Sequence, residues 1–272
     1  MENFNTNDLK KLYIPKKDSQ KGENGKLMII AGSTLFHAAS LWPLTVSSRI
    51  VDMVFYSSVS SNNKIVQNDK NSFRNGIVIP RTEIDKYVKE ADCILIGPGL
   101  PRDKGRQSPN ERTKELTEKF LLKYPNKKWV VDGGSLQVIN PLVLPKTAII
   151  TPNKKEFKTL FSLEPTFDNA KKMVQKYNIT ILLKGEEDYV CDDKTSIIIK
   201  GGNQGMTKGG TGDVLAGLVA SFYCKNDAFL SAISASFINK KAGDELYKTM
   251  GLYYNASDLA NEIPKVMKEF IL

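Results

Sequence analysis

Six short runs limit the architectures open to this chain: KLMIIAGS (26 to 33), VDMVFYSSV (51 to 59), CILIGPG (93 to 99), KWVVDGG (128 to 134), TAIITPN (147 to 153) and ITILLKG (179 to 185). Most are continuously apolar rather than alternating, a pattern that suits parallel strands covered on both faces. Several end in Gly, Pro or Asn, where a strand gives way to a loop. Between them, segments 35 to 50, 83 to 91, 111 to 123, 154 to 162, 213 to 224 and 228 to 248 read as helices. In a further one Ala170, Met173, Val174 and Tyr177 recur at helical spacing behind Asp168, which is placed as an N-cap. Such alternation predicts an α/β fold, a doubly wound and mainly parallel sheet with helices on both faces. DYVCDDKTSIIIKG (188 to 201) interrupts it and reads as a hairpin turning at Asp192-Asp193-Lys194.

Hydrophobic residues make up 41% of the 272 residues and charged ones 25%, which supports a sizeable core and no disordered tract. No linker divides the chain, so a single domain over residues 1–272 is expected. No apolar run approaches membrane-spanning length, and the first 25 residues are polar, without a signal-peptide core. A cytoplasmic protein with no membrane partner follows as the expectation. Cys93, Cys191 and Cys224 show no C-x-x-C spacing and read as buried thiols, not as a disulfide framework or zinc site. The formal charge of +9 attracts anions, but 33 of the 39 basic residues are scattered lysines. Arginine, whose fork reads bases and phosphates, is scarce, and nucleic acid is not an expected partner.

Ligands of open α/β sheets bind beyond the carboxyl ends of the strands. GPGLPR (97 to 102) ends in arginine where a dinucleotide fingerprint needs glycine, and no Walker motif occurs. What remains is KGGTGDVLAGLVASF (208 to 222), a glycine loop opening onto an apolar helix. The N–H groups at such an N-terminus favour an anion, so Gly210, Thr211 and Gly212 form a candidate phosphate cradle. Asp213 is either a first-turn charge that complements the helix dipole or a base for a hydroxyl attacking a phosphoryl group. In TPNKKEF (151 to 157), Glu156 is either another first-turn carboxylate or a magnesium ligand acting through water, and Asp132 has the same two readings. Lys184 is a surface lysine or a phosphate contact. His37, the single histidine, is assigned no role.

Taken in order, KGENGKLMIIAGS, IGPGL, VVDGG, TPNKKEF, ILLKG and GMTKGGTGDVLAG resemble the ADP/ATP-dependent NAD(P)H-hydrate dehydratases, carbohydrate-kinase-like members of the ribokinase fold. The resemblance runs from about residue 10 to the last helix. It implies repair of NADH or NADPH whose nicotinamide ring has added water. ADP or ATP with Mg2+ phosphorylates the ring hydroxyl, and phosphate then leaves. It further implies Asp213 as catalytic residue touching the hydrated coenzyme, with Ala39, Gly99 and Asn153 in the substrate pocket. Lys184, Gly185, Glu186, Glu187, Asp188 and Gly212 would bind the nucleotide, and the assembly would be a homo-oligomer. The family's epimerase domain has no counterpart in the 272 residues. Three positions depart from the family pattern: Asn153 replaces a histidine, Pro101 a glycine, and Asp132-Gly133-Gly134 stands for D-A-D. Vitamin-precursor kinases of the same fold share the Asn-x-x-Glu arrangement. A kinase, and a non-catalytic nucleotide-binding module, are therefore the competing readings.

Overall fold

A computed structural model describes residues 2–69, 75–102 and 112–272; the first residue of the helix expected at 111 to 123 lies outside them. The strands are β1 (Glu2–Asn3), β2 (Lys26–Ile30), β3 (Met53–Ser57), β4 (Ile77–Val78), β5 (Cys93–Ile96), β6 (Lys128–Val131), β7 (Ala148–Ile150), β8 (Thr180–Leu183), β9 (Asp188–Cys191) and β10 (Ser196–Ile199). They form one sheet in the order β1-β10-β9-β8-β7-β6-β5-β2-β3-β4. From β8 through β4 every pairing is parallel, and β9 and β10 add the expected antiparallel hairpin. Met28 of β2 lies opposite Phe55 on one side and Ile94 on the other. The chain thus reverses its winding at β2, a switch point where a crevice opens above the strand ends.

The helices are α1 (Ala38–Ser47), α2 (Ser60–Asn68), α3 (Ile84–Glu90), α4 (Thr113–Lys123), α5 (Gly133–Leu136), α6 (Lys154–Phe161), α7 (Phe167–Tyr177), α8 (Thr211–Tyr223), α9 (Ala228–Met250) and α10 (Ala256–Ile271). Because side chains alternate across a strand, each central strand feeds two cores. Leu27, Ile29, Val130 and Leu182 pack with α1, α8, α9 and α10 on one face. Met28, Ile30, Trp129 and Val131 pack with α3, α4, α6 and α7 on the other. This double burial is why the strands read as continuous apolar runs. Among the described residues, no helix is long and apolar enough to cross a membrane.

Three expectations shift. Asp168 does not cap α7; Thr166 does, its side chain accepting the Asn169 N–H at 3.3 Å, and Asp168 lies within the first turn. The hydroxyl of Thr166 sits at the residue with extended backbone, which is where a cap must be. Helix α1 starts at Ala38 rather than 35, leaving Leu35 and Phe36 in an exposed loop above β2. Helix α8 starts at Thr211, so Asp213 occupies its first turn. Gly217 lets α8 approach α1: a Cβ there would sit 2.7 Å from Cα of Pro43. That contact holds the loop before α1 opposite the loop before α8.

Candidate active site

The loops after β2, β5, β6, β7 and β8 and the start of α8 enclose a cavity of about 480 Å3. Its floor is a charged cluster drawn from four distant parts of the chain. Lys184, following β8, donates from Nζ to Oδ1 of Asp132 at 2.8 Å and lies 4.0 Å from Oε2 of Glu156. Thr151 donates its hydroxyl to the same Asp132 oxygen at 2.7 Å. Asn153 and Glu156 form a capping box on α6: the Asn153 side chain accepts the Glu156 N–H, and Oε2 of Glu156 accepts the Asn153 N–H, both at 2.9 Å. Asp213 faces this cluster across the cavity.

Burial, then the neighbouring Asp132 carboxylate, pushes the pKa of Asp213 up to about 8; Lys184 opposes the rise and Glu156 adds to it. Burial also raises Glu156, against the pull of Lys184. For Lys184 burial alone lowers the pKa, but Asp132, Glu156 and Asp213 outweigh it and hold the ammonium above the ordinary lysine value. Lys184 therefore serves three carboxylates, and Arg102 adds a second positive charge felt by Glu156. With its pKa near 8, the Asp213 carboxylate on α8 exchanges its proton near neutral pH, the range in which a general base is most effective.

The loop before α8 explains its glycines. Gly210 caps the helix with φ 98°, and a Cβ there would fall 2.4 Å from the Trp42 ring. The Thr211 hydroxyl lies 2.6 Å from the Met206 carbonyl oxygen, so it ties the loop down instead of facing the cavity. The Val214 N–H closes the first turn on Gly210 O at 3.0 Å. Among the described residues, none accepts the N–H of Gly212 or Asp213. Two free donors at a helix N-terminus, one residue from a carboxylate, suit a phosphate oxygen.

Gly99, with φ 64°, lies against Ala39; a Cβ on Gly99 would be 2.5 Å from the Ala39 methyl. Both line the cavity beside Asn153. The 184–188 stretch divides. Lys184 enters the cavity, whereas Asp188 turns inward to accept from Gly185 N–H at 2.9 Å and Ser236 Oγ at 2.7 Å, with Lys240 Nζ at 3.4 Å. Lys240 also donates to the carbonyls of Gly185 and Glu186, at 3.1 and 2.9 Å. Asp188 and Lys240 hence shape this turn from behind; Glu186 is exposed and Glu187 pairs with Lys200 at 3.4 Å. Lys240 is not marked in the sequence, where it is the first of two consecutive lysines; only the fold separates it from Lys241 by burying it. His37, Trp42 and Arg102 also line the cavity. Among the described residues, no three acidic, histidine or cysteine groups form a self-sufficient metal site. Asp132 and Glu156 instead suit a magnesium ion that arrives with phosphates and needs one or two carboxylates.

The family model for NAD(P)H-hydrate dehydratase matches residues 27–265. The chain belongs to this family. It is 37% identical over 270 residues to the bifunctional NAD(P)H-hydrate repair enzyme Nnr of Methanocaldococcus jannaschii, covering 97% of this chain and 52% of that protein. The chain thus spans about half the length of the bifunctional relatives it matches. It is 32% identical to the ADP-dependent (S)-NAD(P)H-hydrate dehydratase of Nitrosopumilus maritimus, covering 97% of this chain and 96% of that one. Among solved structures, the ADP/ATP-dependent NAD(P)H-hydrate dehydratase from Bacillus subtilis, co-crystallised with ATP and Mg2+, superposes with a TM-score of 0.78 at 19% identity, covering 99% and 98% of the two chains. At that identity the likeness shows the fold alone, and it is the ribokinase-like fold expected from the motifs.

Proposed function

We propose that this chain restores NADH and NADPH from their hydrates by phosphorylating the ring hydroxyl and eliminating phosphate, with ADP or ATP as donor. The observation that carries the reading is Asp213, a carboxylate raised to about 8 and one residue from the free Gly212 N–H in a cavity at the strand ends. Ala39, Gly99 and Asn153 form the wall against which the hydrated ring rests. Asp213 takes the proton of the ring hydroxyl as its oxygen attacks the terminal phosphoryl group. Gly210, Thr211 and Gly212 shape the turn whose N–H groups hold the transferred phosphate. Lys184 balances the charge gathered there, and the turn from Gly185 to Asp188 borders the nucleotide. Glu156 would hold Mg2+ through water, and the ion would supply charge neutralisation on the phosphates. The ring nitrogen then drives out phosphate, a far better leaving group than hydroxide.

The three buried free cysteines are consistent with a reducing cytoplasmic setting. The proposal includes a homo-oligomer, which light scattering tests. The activity itself is tested by mixing the protein with hydrated NADH, Mg2+ and ADP or ATP. Return of the near-ultraviolet absorbance of reduced nicotinamide, with one nucleotide consumed per ring restored, is the expected result. Nucleotide consumption only when a different alcohol is supplied supports a kinase instead, and no consumption with any alcohol supports a binding module.

A further inference from the structure

Removing water from the hydrated ring takes two hydrogens from different places. The hydroxyl hydrogen at C6 goes to Asp213 during phosphoryl transfer. The second hydrogen sits on C5. When the C6–O bond breaks and phosphate leaves with its electron pair, the nitrogen lone pair forms an N1=C6 double bond. The neutral dihydropyridine returns only when the C5–H electron pair becomes the C5=C6 bond. At that moment the N1=C6 pair goes back to nitrogen, and a base must take the C5 proton.

The described residues lining the cavity include six titratable side chains: His37, Arg102, Asp132, Glu156, Lys184 and Asp213. Arg102 and Lys184 are cations, with no lone pair to offer. Asp132 is engaged by Lys184 at 2.8 Å and Thr151 at 2.7 Å. Both Glu156 oxygens have partners: Oε2 the Asn153 N–H at 2.9 Å, Oε1 the Gln137 amide at 3.5 Å. Asp213 carries the hydroxyl proton. That leaves His37, whose imidazole carries a ring nitrogen able to accept a proton.

We propose that His37 is the catalytic base that removes the C5 proton after phosphate departs, an assignment that rests on the dehydratase reading above. Its placement fits. His37 precedes α1 and makes no capping hydrogen bond through its side chain. Its backbone is fixed: the carbonyl accepts the Ser40 N–H at 3.2 Å and the Ser40 hydroxyl at 2.7 Å. That hydroxyl is in turn 2.7 Å from the hydroxyl of buried Tyr56. The ring is exposed at the cavity wall two residues before Ala39. Among the described residues, no hydrogen bond or ion pair engages the imidazole. The proton it accepts passes to solvent between turnovers.

His37→Gln tests this in a rapid-quench experiment with ATP, Mg2+ and NADH hydrate, alongside a substrate carrying deuterium at C5. The variant is expected to consume one nucleotide per site in the first turnover at close to the wild-type rate. Absorbance recovery then slows about 100-fold or more, the scale of a lost general base. Phosphate is released but the N1=C6 iminium, or the hydrate that water re-forms from it, accumulates in place of reduced nicotinamide; the C5 isotope effect on recovery increases, and added imidazole restores part of the rate. Wild-type recovery in the variant, or a parallel fall of nucleotide consumption and recovery, overturns the assignment to His37 while leaving the dehydratase reading in place. A wild-type protein that restores no absorbance overturns that reading itself.

Discussion

Replacing Asp213 with alanine is expected to lower turnover about 10²–10⁴-fold, the usual weight of a general base, with the fold intact. The pH dependence follows from the same carboxylate. Its pKa rises from 3.8 to about 8 in the folded protein because burial, Asp132 and Glu156 oppose its charge. Catalysis needs the deprotonated form, so kcat/KM of the wild type climbs as pH rises towards 8 and levels off above it. Stability runs the opposite way. The folded state keeps a proton that the unfolded chain releases near pH 3.8, so this group's contribution is complete below that value and is lost as pH rises towards 8. Asp213→Asn cannot ionise. It should therefore be inactive yet raise Tm at pH 8 and change it little at pH 4. Thermal melts at the two pH values check the sign, and an equal Tm for variant and wild type at pH 8 contradicts the buried-charge account.

Lys184→Met is expected to cost about 3–5 kcal/mol of folding stability at neutral pH, the scale for removing one partner of a buried ion pair. The Lys184 and Asp132 side chains are 16% and 3% exposed, so solvent does little to replace the lost cation. Asp132, Glu156 and Asp213 would be left facing one another. Protonating them relieves the repulsion, so the deficit should shrink as pH falls through the carboxylate range. Urea denaturation of wild type and variant across that range measures it. A loss independent of pH would mean that packing of the lysine stem, not its charge, supports the site. Catalysis suffers as well, because without Lys184 the pKa of Asp213 rises further and its carboxylate is scarcer at neutral pH.

The parallel strands are legible in the sequence because burial on both faces makes them continuous apolar runs, and the hairpin at 188 to 201 shows its turn residues openly. Helix α2 is not legible. SSNNKIVQN carries no apolar period, and its buried positions include Asn62 and Asn63. Asn63 and Asn62 bond locally to the Ser58 N–H and hydroxyl, and Asn62 also donates to the Ser33 carbonyl, a contact that exists only once β2 and β3 are adjacent. Helix α10 has a capping box at Asn255 and Asp258, but Pro264 inside it breaks the pattern that a reading of propensity expects. Strands β1 and β4 are two residues each and carry no period at all.

The site divides along the same line. Gly210 to Asp213 can be read locally because a helix N-terminus presents its own donors. The partnership of Asp132, Glu156 and Lys184 cannot, since it joins residues up to 52 positions apart through three strand ends. Asp188 illustrates the converse: its stretch reads as ligand-facing, yet the fold turns its carboxylate towards Ser236 and Lys240, residues in a helix that the local sequence does not connect to it. His37 escapes notice as a lone histidine. Its one signal is position, two residues before Ala39 in the loop that leaves the first central strand.

The most direct test is a structure of the protein bound to Mg2+ and a non-hydrolysable ATP analogue. The terminal phosphate is predicted to accept hydrogen bonds from the N–H groups of Gly212 and Asp213, with the Asp213 carboxylate directed past it towards Ala39 and Gly99. A nucleotide seated away from this turn, or a carboxylate of Asp213 directed away from the bound phosphate, would contradict the assignment of phosphate grip and proton acceptor to α8.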